Sequence, residues 1–241
     1  MNEYNYRVKN ELKIWQIKIS KKPSLINNIT LNTQKKMNSL IPEKAHEIIT
    51  ATIKNMVKVV ILGSKYTSRL PLEDLNLEKR EEIVEEKFNF YQKAATLTGV
   101  GTGAGGLLLG LADFPILLSL KVKFLYEVAS IYGFDVRDYR ERLYILYIFQ
   151  LAFSSGKKRL EVYDKILHWE EYSKTLPLDI ESFDWRSFQQ EYRDYIDLAK
   201  MLQIVPVIGA VVGGYANYNL IKKLNEVAKN SYRLRIKVDN W

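Results

Sequence analysis

The sequence predicts an all-α fold: a single multi-helix domain with two glycine-rich apolar helices crossing at its centre. Three observations predict it. Apolar residues recur at three- and four-residue spacings along most of the chain, the period of one helix face. Proline, glycine, aspartate and asparagine punctuate those stretches where helices start and stop. No run of alternating valine and isoleucine marks a half-buried strand.

Each element follows in order. Tyr4, Val8, Leu12, Trp15 and Ile19 form one stripe, while Arg7, Lys9, Lys13 and Lys18 lie largely off it. This is a basic amphipathic helix ending before Pro23; such a helix either docks on a core or lies in a membrane interface. Residues 24–39 read as a weaker helix. Pro42 opens a stronger one to about Leu62, because proline suits the first turn. Gly63 to Asn76 is a loop, and Asn76 can cap the next helix, with Glu78, Glu81 and Glu82 at the positive end of its dipole. That helix runs into the glycine stretch. Asp113 caps another, with Pro115 in its first turn, which runs to about Tyr132 and stops at Gly133. Asp135 starts the next, whose apolar run Leu143–Phe149 is too short to span a bilayer, and Ser154-Ser155-Gly156 breaks it. A helix covers about 157–175, a loop Pro177–Asp184, and Asp184 caps the helix beginning Trp185-Arg186. Pro206 marks a boundary before the last helix, about 206–232, and the tail from Arg233 reads as coil. Residues 1–70 thus form basic N-terminal helices packed on or extending from the core, and 71–241 the main helical domain.

The stretch from Thr96 to Pro115 organises the chain. Between Lys93 and Lys121 its only ionisable side chain is Asp113, and six of the chain's 12 glycines fall in 99–110. Each glycine inside a helix costs about 1 kcal/mol relative to alanine, so only close packing holds such a helix together. Gly99/Gly103, Gly101/Gly105 and Gly106/Gly110 are spaced four apart, as are Gly209/Gly213 and Ala210/Gly214 in the second charge-poor run. That spacing lets two backbones approach, which predicts that 98–112 and 206–220 cross. Gly101-Thr102-Gly103-Ala104-Gly105-Gly106 also matches G-x-G-x-x-G. The dinucleotide fingerprint needs a preceding strand, however, and here Val84, Phe88, Tyr91 and Ala95 precede it at helical spacing. No Gly-Lys-Ser/Thr follows, so a P-loop is excluded. A transmembrane span or hairpin has the length but is interrupted by Asp113 and Pro115; reversible insertion of the two runs stays open beside a buried core.

Composition narrows the rest. The net charge is +8, and it is uneven: basic residues lead in 1–69 and 201–241, acidic ones in between. Such basic ends suit an anionic partner, either nucleic acid or the negative cytoplasmic leaflet, or are simply solvated helix faces. Nucleic acid is the weaker expectation, because the aromatic residues follow helical periodicity and point inward. With no cysteine, disulfides and thiolate chemistry are excluded, and no apolar signal segment follows Met1. A cytoplasmic location is expected.

Reaction chemistry is not legible. His46 and His168 are the only histidines, and neither has a second at metal spacing. Ser119 and Ser154 lack a nucleophile-elbow context. The pairs Glu81/Glu82 and Glu170/Glu171 read as solvated helix faces. No catalytic residue, metal ligand or cofactor is assigned.

Thr98 to Gly106, Ala112-Asp113-Phe114-Pro115 and Glu127 to Asp135 together resemble the signature of the EcsC family. Leu202, Val205 to Gly214, Asn217-Tyr218 and Ala228 to Arg235 resemble that family's C-terminal block, so the likeness covers most of 78–235. The family is named for a gene beside two genes of an ABC-type transporter system. The resemblance implies a helical fold and an association with a membrane transporter, and carries over no catalytic residues; because no constellation of nucleophile, base and orienter can be assembled, the expectation is a non-enzymatic accessory protein near the membrane. On that expectation Lys222, Lys223, Lys229, Arg233 and Arg235 meet the cytoplasmic membrane surface or a membrane protein. The alternative is a protein that handles or hydrolyses lipid or another hydrophobic ligand in a pocket between the glycine runs lined by Gly101, Gly103, Gly106 and Asp113.

Overall fold

The computed structural model describes residues 3–21, 43–62, 70–101, 113–178, 180–196 and 210–236. Its helices are α1 (Glu3–Ser20), α2 (Glu43–Leu62), α3 (Leu77–Gly101), α4 (Phe114–Ile131), α5 (Tyr139–Phe153), α6 (Gly156–Leu167), α7 (Trp169–Lys174), α8 (Trp185–Tyr195) and α9 (Ala210–Arg235), with one 3-10 turn at Ile180–Ser182. No strand occurs among the described residues. The fold is a single all-helical domain.

The helix ends have identifiable causes. Asn76 Oδ1 accepts from the Lys79 amide at 2.9 Å, and Asp184 Oδ1 from Ser187 at 3.0 Å, so both cap as the sequence predicts. Asp113 holds the N-cap position of α4 and its carbonyl accepts from Leu117, but its side chain makes no capping bond. Asp138, not Asp135, caps α5 through the Arg140 amide; Asp135 instead bonds Arg137 in the turn before it. The stretch predicted as one helix over 157–175 is two, broken at His168, whose backbone leaves the helical region. Gly133 ends α4 with φ +91°, and Gly156 opens α6 with φ +58°, conformations that glycine adopts without a Cβ penalty. The predicted helix over 24–39 and the boundary at Pro206 lie outside the described residues.

The helix α9 is the axis of the molecule. Its 26 residues rise about 39 Å. It packs most extensively on α3, and also on α5, α4, α1 and α6. Named contacts give the directions. Glu81 near the start of α3 meets Arg233 near the end of α9, so those two run antiparallel. Glu11 meets Arg233 and Lys18 meets Glu226, so α1 is antiparallel too. Lys121 meets Asn217 and Tyr132 stacks on Tyr232, so α4 runs parallel to α9. The end of α3, the start of α4 and the start of α9 therefore share one end of the bundle. The predicted crossing of 98–112 with 206–220 falls largely outside the described residues.

The core is one cluster running from Val8 in α1 to Tyr232 in α9. Every residue of α5 except Arg140 is buried; after its charged first turn only Gln150 interrupts a run of aliphatic and aromatic side chains, and a helix apolar all round belongs inside. The stripe Val8, Leu12, Trp15 and Ile19 is buried, so α1 docks on the core by its predicted face. Trp15 meets the Tyr163 ring edge-on at 5.8 Å.

Candidate functional site

Two groups of buried polar side chains lie along α9, one near each end. At its C-terminal end Glu81 accepts two hydrogen bonds from Arg233, at 2.6 Å from both Nε and Nη2. The Tyr4 hydroxyl donates to it at 2.8 Å and the Tyr132 hydroxyl at 3.0 Å. Burial pushes the Glu81 carboxyl up, but the Arg233 hydrogen bonds and charge outweigh that and hold it below the usual range. Residues from α1, α3, α4 and α9 thus share one bidentate ion pair, the geometry in which arginine binds carboxylate best. On the other side of the same turn Arg235 pairs with Glu141, which also accepts from the Tyr232 hydroxyl at 2.7 Å. The Arg235 guanidinium lies 3.8 Å from the Phe134 ring centre and 4.5 Å from that of Tyr144. These cations are inward clamps. The expectation that Arg233 and Arg235 form an outer binding surface is corrected: buried carboxylates on α3 and α5 draw them in. The same observation corrects the reading of Glu81 as a solvated face residue, while Glu82, Glu170 and Glu171 are exposed as expected.

Nearer the other end lies Lys121 on α4, fully buried. Its Nζ donates to Asn217 Oδ1 of α9 at 3.0 Å, and no carboxylate pairs with it among the described residues. Burial lowers its pKa to about 7. A buried amine whose hydrogen-bond partner is a neutral amide is what desolvation would neutralise. The sequence reading passed over Lys121, although the spacing Phe114, Leu117, Leu118, Lys121, Leu125, Val128 places it on the apolar stripe.

The remaining predicted positions are dispersed. Gly101 ends α3, Asp113 is half-buried at the start of α4, and Gly103 and Gly106 lie outside the described residues. Lys222 is exposed; Lys223 is half-buried; Lys229 is turned toward Glu81 at 3.7 Å. His168 is exposed beside Asp164, at 3.2 Å, and the His46 side chain lies outside the described set. The hydroxyls of Ser119 and Ser154 bond nearby backbone carbonyls in their own helix turns. Among the described residues no cluster of histidine and carboxylate side chains could hold a metal ion, and no helix is long and apolar enough to cross a membrane. The segment before the glycine motif is the helix α3, so the strand that a dinucleotide fingerprint needs is absent there.

A model of the EcsC protein family matches residues 6–236. The chain belongs to the EcsC family. The match takes in most of α1 and all of α2 as well as the glycine stretch, so the family pattern extends N-terminally beyond the likeness over 78–235. Among curated relatives, Protein EcsC of Bacillus subtilis (strain 168) is 44% identical over 223 residues, 92% of each chain. Uncharacterized protein YdbA of the same organism is 28% identical over 244 residues, 94% of this chain and 88% of the relative. No solved structure matches the chain.

Proposed function

We propose that this EcsC protein is a non-enzymatic accessory protein that binds the anionic face of the cytoplasmic membrane, beside the ABC-type transporter system that the family resemblance implies. One observation carries the reading: the outer face of α1. The helix buries its stripe through Trp15, yet Ile14 and Ile17 stand 67% and 61% exposed off that stripe, with Lys13 exposed beside them and Lys21 exposed just past the helix end. Because α1 runs antiparallel to α9, the exposed Lys222, one turn before Glu226, lies toward the end of the bundle at which α1 finishes. Apolar side chains flanked by lysine are the composition of a helix that rests at a lipid headgroup boundary. Each lysine near an anionic surface contributes about 1 kcal/mol, so attachment would be reversible and sensitive to salt.

Co-sedimentation with vesicles tests this. The protein pellets with phosphatidylglycerol-rich vesicles at low salt, less with phosphatidylcholine vesicles, and releases as salt is raised. Ile14→Asp with Ile17→Asp, both at exposed sites, removes the pelleting while leaving the far-ultraviolet circular dichroism unchanged. Equal pelleting on both lipids, or an unaffected double variant, contradicts the proposal.

A further inference from the structure

A shallow groove of about 410 Å³ runs between α2 and α4, and neither Lys121 nor the Glu81 and Glu141 ion pairs line it. Its floor is Met56, Val60, Leu118 and Val122, all buried. Val59 forms the α2 wall and is 65% exposed, while Ser119 and Lys123 stand on the α4 wall. Tyr126 lines one end, and its hydroxyl donates to the Val60 carbonyl at 2.6 Å. The polar tip of the tyrosine is thereby satisfied. Lys123 is the one charged residue in the lining, which holds no carboxylate, and it forms no ion pair among the described residues.

We infer that this groove binds one acyl chain of an anionic lipid, the chain lying on the Met56–Val122 floor and the head group at Lys123. The volume is that of a small-ligand site, which spans about 300–1,000 Å³, whereas a partner helix is about 10 Å across and needs a wider trough. Charge complementarity sets the sign of the head group: a single ammonium in a lining that holds no carboxylate favours an anion over a neutral or cationic head. Burying the chain removes apolar surface from water on both sides at about 25 cal/mol per Å². The site is separate from the outer face of α1, so lipid capture in the groove and attachment of the protein to a membrane are independent events.

The test uses the full chain without vesicles, so that failure here leaves the membrane reading untouched. Oleate and oleyl alcohol, both below their aggregation concentrations, are titrated by calorimetry into the protein. Oleate binds one per chain, and about fivefold tighter than the alcohol. Lys123→Gln removes that fivefold preference and leaves the alcohol unchanged, whereas Lys93→Gln on α3 changes neither. Val122→Trp fills the floor and abolishes binding of both ligands. Val59→Trp, at an exposed position that tolerates the bulk, covers the groove and weakens both at least about tenfold, which keeps the test decisive if Val122→Trp does not fold. No binding of oleate, or binding that is the same in the wild type, Lys123→Gln and Val59→Trp, overturns the inference.

Discussion

A lysine sealed inside an apolar seam opposes folding for as long as it carries its charge, and Lys121 is such a lysine. Its pKa is lowered to about 7 in the fold against about 10.4 in an unfolded chain. Between those values the unfolded state holds more protons, so stability rises as pH rises, by at most about 1.4 kcal/mol per unit. The penalty is fully present below the folded value and gone above the unfolded one. Lys121→Met, which keeps the length and removes the charge, raises the melting temperature at pH 7 and flattens the difference between pH 7 and 10; thermal denaturation across that range checks it. A variant less stable than wild type at pH 7 contradicts the burial argument. Single residues were the least legible scale in the sequence. Arg233 and Arg235 read as surface cations because nothing local shows that Glu81 and Glu141, far back in the chain, are folded against them. A signal did exist: Glu81 continues the stripe Val84, Phe88, Tyr91 and Ala95 one turn earlier, and a carboxylate in a core register calls for a buried partner.

Helix ends were more legible, because capping is chemistry between neighbours. Asn76, Asp184, Gly133 and the Ser154–Gly156 break all stand where short-range signals place them. The misses have physical reasons. Asp135 has Arg137 two residues on and bonds it bidentately, leaving Asp138 to cap α5. The C-terminus of α9 runs past the expected end because Tyr232, Arg233 and Arg235 each find a buried partner, and such anchoring overrides weak local propensity. Gly133 gives the element scale its test. Its φ of +91° disfavours any Cβ, and one built there would lie 3.2 Å from Arg80 Nη1 and 3.4 Å from the Leu72 carbonyl oxygen. Arg80 Nη1 donates to that same carbonyl and to Ile131, joining the loop before α3 to the end of α4. Gly133→Ala therefore strains the turn and displaces the guanidinium, costing about 1–2 kcal/mol. Urea denaturation reads it as a lower midpoint with unchanged slope; an unchanged midpoint contradicts it.

At the scale of the whole molecule the all-helical class followed directly from periodicity, and α1 buries the face its stripe picks out. Which helix forms the axis did not follow, since packing order is set by contacts between distant segments. The surface was legible only in outline. Counting charge showed that both ends are basic, but burial divides that charge: arginines of α9 lock the fold together, while lysines beside Ile14 and Ile17 face outward. The membrane proposal stands on that division. Because the chain has no cysteine, one introduced at position 17 takes a single environment-sensitive fluorophore. On addition of phosphatidylglycerol-rich vesicles the label on Ile17→Cys brightens and shifts to the blue as it enters the lipid boundary, while the same label on Leu178→Cys, at a site 92% exposed on a loop far along the chain, stays in water. No change at position 17, or equal changes at both positions, contradicts the account.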